Sequence, residues 1–335
     1  MRDLIAELPE QMRWAAGMAV PPIPARPEAL VIGMGGSGIA GNAAAAAADA
    51  VGARVGVHKG YGVPGWAGTA RPLVVAVSHS GNTEETVAGV HGALDAGCQV
   101  AIVTTGGDLA ALAGDRGLPL VPIPPGPQPR AAFGYLTGAV VRVLGAAGIL
   151  PDRRSEMLES AALLESALAG LAQEQADALA DTLAGRAALV YGASAVASVA
   201  ANRWKTQINE NAKTPAFWSE LPELDHNELV GWTAHPDWSR EAVGVVALRD
   251  PGGESARMTR RFDVTLEVME PQVHLAGSVG SHGSGTLPRL FSLAVVGDLL
   301  SVTLAARAGV DPMPVEAIES LKRRLRARDN GLAPG

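Results

Sequence analysis

The sequence predicts an α/β protein of two doubly wound parallel-sheet domains, and three observations carry that prediction. Short continuous runs of Val, Ile, Leu and Ala alternate with helical patterns. The same landmarks recur at a fixed spacing of 159 residues, from Ala29 to Ala188 (188 − 29 = 159). The chain has 335 residues, and single cores rarely grow past about 250.

In the first half the apolar runs are at 29–32, 55–57, 73–77, 100–103 and 118–123, and they read as strands buried on both faces. Helical patterns at 37–50, 83–96 and 109–114 separate them, so the strands form right-handed β-α-β units in a parallel sheet. Residues 122–129 are rich in Pro and Gly and lead into a helix from Arg130 to Leu144.

Ala29-Leu30-Val31-Ile32-Gly33 resembles Ala188-Leu189-Val190-Tyr191-Gly192, and Pro129-Arg130 resembles Pro288-Arg289 at the same offset (289 − 130 = 159). Two landmarks at one spacing indicate an internal duplication. The boundary is expected near Leu150-Pro151-Asp152, dividing the chain into 1–150 and 151–335. In the second copy 189–191, 242–248 and 263–269 read as strands and 195–211 as a helix.

Apolar residues make up 47% and charged residues 18%, enough apolar surface for sizeable cores. The formal net charge is −7, and the one basic run is Lys322-Arg323-Arg324-Leu325-Arg326, so a nucleic-acid surface is disfavoured. The single cysteine, Cys98, excludes an internal disulfide framework and fits a reducing, cytoplasmic setting. The start, Met1-Arg2-Asp3-Leu4, has no signal-peptide pattern. Two apolar stretches, 131–150 and 290–306, each carry a charge (Arg142 and Asp298). A charge is costly in lipid, so both read as buried helices and no membrane contact is expected.

Open parallel sheets bind ligands at the carboxyl ends of their strands, and two loops fall there. Gly33-Met34-Gly35-Gly36-Ser37-Gly38 follows the first strand and contains the glycine spacing of a dinucleotide site. That reading wants an acid closing the next strand, and Val57-His58-Lys59 has none. The second loop, Ser78-His79-Ser80-Gly81-Asn82-Thr83, places three hydroxyls before a helix start. That makes a compact phosphate cradle, whereas a helix cap accounts for only one hydroxyl. His79 is expected to be a surface residue without a role. In the second half, 203–213 and 217–228 place Glu210 and His226 among amides and aromatics. A carboxylate and an imidazole in one pocket are suited to proton transfer.

These residues are recognisable together. Gly33-Met-Gly-Gly-Ser-Gly-Ile-Ala-Gly41, Ser78-His-Ser-Gly-Asn-Thr83, Asn209-Glu-Asn-Ala-Lys213, Glu223-Leu-Asp-His-Asn-Glu-Leu-Val-Gly-Trp232 and Gly309-Val-Asp-Pro-Met-Pro-Val315 resemble the bifunctional phosphoglucose/phosphomannose isomerase family, in family order over nearly the whole chain. The resemblance implies two SIS (sugar isomerase) domains of flavodoxin-like layering. It implies a homodimer with active sites at the domain and subunit boundary. It also implies interconversion of glucose 6-phosphate, and of mannose 6-phosphate, with fructose 6-phosphate. Position by position, it implies that Gly35, Gly36, Ser37, Ser78, Ser80 and Thr83 hold the phosphate. Glu210 would be the base, His226 would open the ring, Arg130 would lie near the enediolate, and Lys322 would reach the site from the C-terminal helix.

The residue types suit that chemistry. Once the ring is open, one carboxylate can move a proton between the adjacent C2 and C1 through a cis-enediol, while a fixed cation stabilises the developing oxyanion. No cofactor is expected, and the seven histidines show no metal-ligand spacing. Family members often carry Thr in the Asp-Pro-x-Pro segment where this chain has Met313, which leaves the mannose 6-phosphate arm open. Two competing readings are a non-catalytic phosphosugar-binding regulator and an amino-sugar or heptose phosphate isomerase. The first needs no base, and the His226 segment disfavours the second.

Overall fold

The computed structural model describes residues 1–126 and 128–329. The first sheet consists of β1 (Glu28–Ile32), β2 (Arg54–His58), β3 (Leu73–Ser78), β4 (Gln99–Thr104) and β5 (Leu120–Pro122), parallel throughout in the order β2-β1-β3-β4-β5. The second consists of β6 (Ala187–Gly192), β7 (Ala216–Glu220), β8 (Val243–Arg249) and β9 (His274–Gly280), parallel in the order β7-β6-β8-β9. The order β2-β1-β3-β4 matches β7-β6-β8-β9, as an internal duplication requires, and β5 is extra to the first sheet. All six residues of β3 are buried, as a strand covered on both faces requires.

The helices that matter for the site are α1 (Gly35–Asp49), α2 (Glu84–Asp95), α3 (Phe133–Ala146), α4 (Ala195–Gln207), α5 (Ala256–Met269), α6 (Thr286–Ala308) and α7 (Glu316–Asp329). The largest apolar cluster lies between the sheets. It joins α1 and α3 from the first half to α4 and α6 from the second, with Leu8–Gly17 packed on Arg154–Leu168. Two smaller clusters cover the outer faces, one behind each sheet. The length argument leads one to expect two separate cores; instead the inner helical layers fuse into one.

The apolar stretch at 290–306 is the middle of α6. This helix is long and apolar enough to cross a membrane, yet 78% of its most apolar window is buried inside the protein. Its one acid, Asp298, accepts hydrogen bonds from Arg203 Nη2 at 2.7 Å and Gln207 Nε2 at 2.9 Å.

Three sequence expectations differ. Residues 263–269 are helical, inside α5. Their β-branched residues suggest a strand, but Phe262, Thr265 and Met269 are the buried positions, at helical spacing, and Ser255 caps the start through Met258 N at 3.2 Å. The strands β7 and β9 escape the apolar-run criterion. β7 is an edge strand whose Phe217 is exposed, and β9 is only partly buried. The helix expected over 195–211 is α-helical only to Gln207, and Ile208–Ala212 then widens into a π-turn.

The pairing also corrects the internal alignment. Ala29 lies opposite Leu73 in β1–β3 and Ala188 opposite Gly244 in β6–β8, so the offset there is 244 − 73 = 171. The sequence offset of 159 places Asp237 opposite Ser78; the structure places Arg249 there. A longer connection, 221–242 against 59–72 (22 − 14 = 8), accounts for most of the difference of 12 (171 − 159 = 12).

Candidate active site

The chain leaves β1 toward β2 on one side and β3 on the other, opening a crevice between the β1–α1 and β3–α2 loops. The phosphate-type residues meet there. His79 N donates to Ser37 Oγ at 3.3 Å, joining the loops. Ser78 Oγ lies 2.9 Å from Thr83 Oγ1 and accepts Gly81 N at 3.1 Å, and Ser80 Oγ accepts Asn82 N at 3.2 Å. Gly81 has φ +72°, and a Cβ on it would lie 1.8 Å from Gly106 O, so no other residue fits. Thr83 occupies the N-cap position of α2, yet its hydroxyl makes no capping bond, and Met34 before α1 makes none either. Two helix starts thus bring free N–H groups to one crevice beside four hydroxyls, an arrangement that suits a phosphate.

Gly36 links this crevice to Arg130. A Cβ there would meet Pro129 O at 3.4 Å and Arg130 Cα at 3.5 Å, so the loop rests against the backbone of Arg130. The Arg130 guanidinium is buried and held from three directions. Nε donates to Asn211 Oδ1 at 2.7 Å, Nη1 to Gln128 Oε1 at 2.6 Å, and Nη2 to Pro312 O at 2.6 Å and Met313 O at 3.0 Å. Its Nη1 is also 3.5 Å from Glu210 Oε2. Burial pushes the Arg130 pKa down and Glu210 pushes it up; the group remains a cation.

Glu210 sits in the π-turn, a distortion frequent at functional sites. Its side chain is 28% exposed and faces a cavity of about 540 Å³ lined also by Asn209, Lys213, Val315 and Ile318. Lys213 closes the turn at φ +54°, in the left-handed region that non-glycine residues rarely adopt. Its Nζ donates to Pro314 O at 2.8 Å and Glu210 O at 2.5 Å, tying the turn to the 309–315 segment. Desolvation, then Arg130, lowers its pKa.

Sequence reasoning misses the support beneath this pair. Arg203 stacks over Phe133 at 4.1 Å, pairs with Asp298, and donates to the Arg130 carbonyl at 3.1 Å; Asn211 Nδ2 donates to Ser301 Oγ at 2.9 Å. The signal was a polar stripe at helical spacing, Arg203, Gln207 and Asn211.

Two expected members lie elsewhere. Glu210 precedes β7 and His226 follows it, so about 13 Å of extended strand separates the ends of this five-residue element. Among the described residues no hydrogen bond or ion pair joins His226 to Glu210 or Arg130. His226 is exposed and is not among the residues that line the Glu210 cavity. Lys322 is exposed on α7, four residues past the cavity-lining Ile318 and so on the same helix face one turn on. His79 is not a surface residue: it is 8% exposed, its Nε2 has no partner among the described residues, and desolvation lowers its pKa.

The second copy has a counterpart crevice, closed from within. Asp250, fully buried, stands where the register places His79 (79 + 171 = 250). Its carboxylate accepts Ser194 Oγ at 2.7 Å, Ser281 Oγ at 2.6 Å and Arg289 Nη1 at 2.7 and 2.8 Å. Arg289 is the residue that the sequence offset of 159 pairs with Arg130. A protein carboxylate here fills the place an anion would take.

Comparison with known proteins supports the same assignment. Residues 172–325 match the bacterial phosphoglucose isomerase C-terminal SIS domain. The chain is 34% identical over 303 residues to the bifunctional phosphoglucose/phosphomannose isomerase of Caldicellulosiruptor bescii, covering 88% of each chain, and 32% identical to that of Aquifex aeolicus, covering 88% of this chain and 89% of the relative. It is also 33% identical to a D-glucosamine-6-phosphate 4-epimerase of Sulfolobus acidocaldarius over 76% of each chain. A crystal structure of a hypothetical protein from Thermus thermophilus shares the fold, with a TM-score of 0.71 and 19% identity over 97% of this chain and 89% of that one. The chain belongs to the bifunctional phosphoglucose/phosphomannose isomerase family.

Proposed function

We propose that the protein interconverts glucose 6-phosphate, and mannose 6-phosphate, with fructose 6-phosphate through a cis-enediol. The observation that carries this reading is the Arg130–Glu210 pair, 3.5 Å apart at the rim of a cavity and joined through Gly36 to the hydroxyl-lined crevice. Gly35, Gly36, Ser37, Ser78, Ser80 and Thr83 hold the phosphate. Glu210 carries a proton between C2 and C1, and the Arg130 charge stabilises the oxyanion. Because its donors are already fixed by the Asn211 and Gln128 side chains and the Pro312 and Met313 carbonyls, Arg130 needs no reorganisation as charge develops. His226 and Lys322 exchange protons with the ring oxygen and O1.

The working unit is a homodimer in which His226 of one protomer reaches the site of the other. β7 holds His226 away from its own Glu210, while its exposure leaves it available to a second chain.

The test is a coupled assay of the purified protein on fructose, mannose and glucosamine 6-phosphates. Turnover of fructose 6-phosphate with loss in Glu210→Gln is the expected result. Action on glucosamine 6-phosphate alone would overturn the reading, and turnover without mannose 6-phosphate would assign that arm to Met313.

A further inference from the structure

The connection that carries His226 is longer than its counterpart in the first copy, and it is fastened on both sides of the histidine. Leu221 and Leu224 are buried in the outer cluster behind the second sheet, with Tyr191 and Phe262. Asp225, one residue before His226, accepts Arg261 Nη1 and Thr265 Oγ1 from α5, each at 2.9 Å. Glu228, two residues after it, accepts the Tyr191 hydroxyl from β6 and Ser219 Oγ from β7, the latter at 2.5 Å. Tyr191 is fully buried. Desolvation, and then the Glu228 charge, raise its pKa, so it stays a donor. His226 is exposed, and no hydrogen bond or ion pair engages it among the described residues.

An ordinary surface turn leaves its carboxylates in water. Here two of them hold four donors from three different elements, and charge-assisted bonds of this kind fix geometry as well as contribute stability. The backbone of 223–228 is therefore set before any ligand arrives, and the imidazole is presented on a rigid mount. We propose that Asp225 and Glu228 are positioning residues for His226, fixing the angle at which its imidazole meets the sugar ring oxygen. This rests on the ring-opening role given above. A displacement of about 1 Å at a proton-transferring group can cost 100-fold in rate.

The test separates ring opening from proton shuttling. A 5-deoxyfructose 6-phosphate lacks the hydroxyl that closes the furanose, so this ketose is always open and needs no His226. Asp225→Asn and Glu228→Gln keep the side-chain volume, and Tyr191→Phe removes one donor with the core still filled; thermal melting verifies that each variant is folded. The expected result is a fall of about 10-fold to 100-fold in kcat on glucose 6-phosphate, with KM little changed and turnover of the 5-deoxy ketose within about two-fold of the parent protein. His226→Ala should show the same split, larger. Equal losses on both substrates in folded variants, or no loss on either, would refute the positioning role. An unimpaired His226→Ala would refute the ring-opening assignment itself and the positioning role with it. An impaired His226→Ala beside unimpaired Asp225→Asn and Glu228→Gln would refute positioning alone.

Discussion

Asp250→Ala tests whether the second crevice is held shut by its own carboxylate. The substitution leaves Arg289, 12% exposed, without its counter-ion and leaves two serine hydroxyls without their acceptor. Breaking a buried pair from one side costs about 3–5 kcal/mol. At roughly 2.1 cal/mol/K per residue, a chain of this length loses about 1.4 °C of melting temperature per kcal/mol, so a drop of about 4–7 °C is expected by circular dichroism at 222 nm. Arg289→Met in the same chain should recover part of the loss, because the uncompensated cation is gone. Formate supplies the missing carboxylate as a free ion; at tenfold over its Kd it should restore about 1.4 kcal/mol to Asp250→Ala, in excess of any effect on the parent protein. A single variant melting within about 1 °C of the parent, or a double variant no better than the single, would refute the reasoning.

Other consequences follow from the same geometry. Thr83→Val removes a hydroxyl that bonds Ser78 and not the helix start; stability should fall by about 1 kcal/mol, while KM for the phosphosugar rises about tenfold in steady-state kinetics. Asp298→Ala strands Arg203, of which 2% is exposed, and should cost about 3–5 kcal/mol in urea unfolding and lower kcat through the loosened Arg130 carbonyl. His79 has its pKa lowered on folding, so below about pH 6.5 the unfolded chain binds the proton first; this contribution is present above that pH and is lost as pH falls toward the folded value. His79→Asn should flatten the dependence of stability on pH between 7 and 5, measured by denaturant melts.

The parallel sheets, the duplication and the hydroxyl-rich loop were legible in the chain because they are local or periodic. β3 is an unbroken apolar run, and Ser78–Thr83 concentrates three hydroxyls in six residues. What escaped was set by contacts distant in sequence. β7 and β9 lack apolar runs because an edge strand needs burial on fewer sides, and their pairing with β6 and β8 decides them. The α5 segment has strand-like composition, but its buried face repeats at helical spacing. His79 reads as a loop histidine until Ser37 and the 123–126 segment close over it.

The amino acids by themselves determined which residues could bind a phosphate and which could move a proton, because those capacities belong to side-chain chemistry. Tertiary structure decided which of them meet. Arg130 and Glu210 lie 80 residues apart in the chain (210 − 130 = 80), and a network from α4, α6 and the 309–315 segment brings them to 3.5 Å. Glu210 and His226 are only 16 residues apart (226 − 210 = 16), and the extended strand between them keeps them separate. Sequence distance and spatial distance run in opposite directions here, because a strand spends its residues on length while a packed core brings distant residues together.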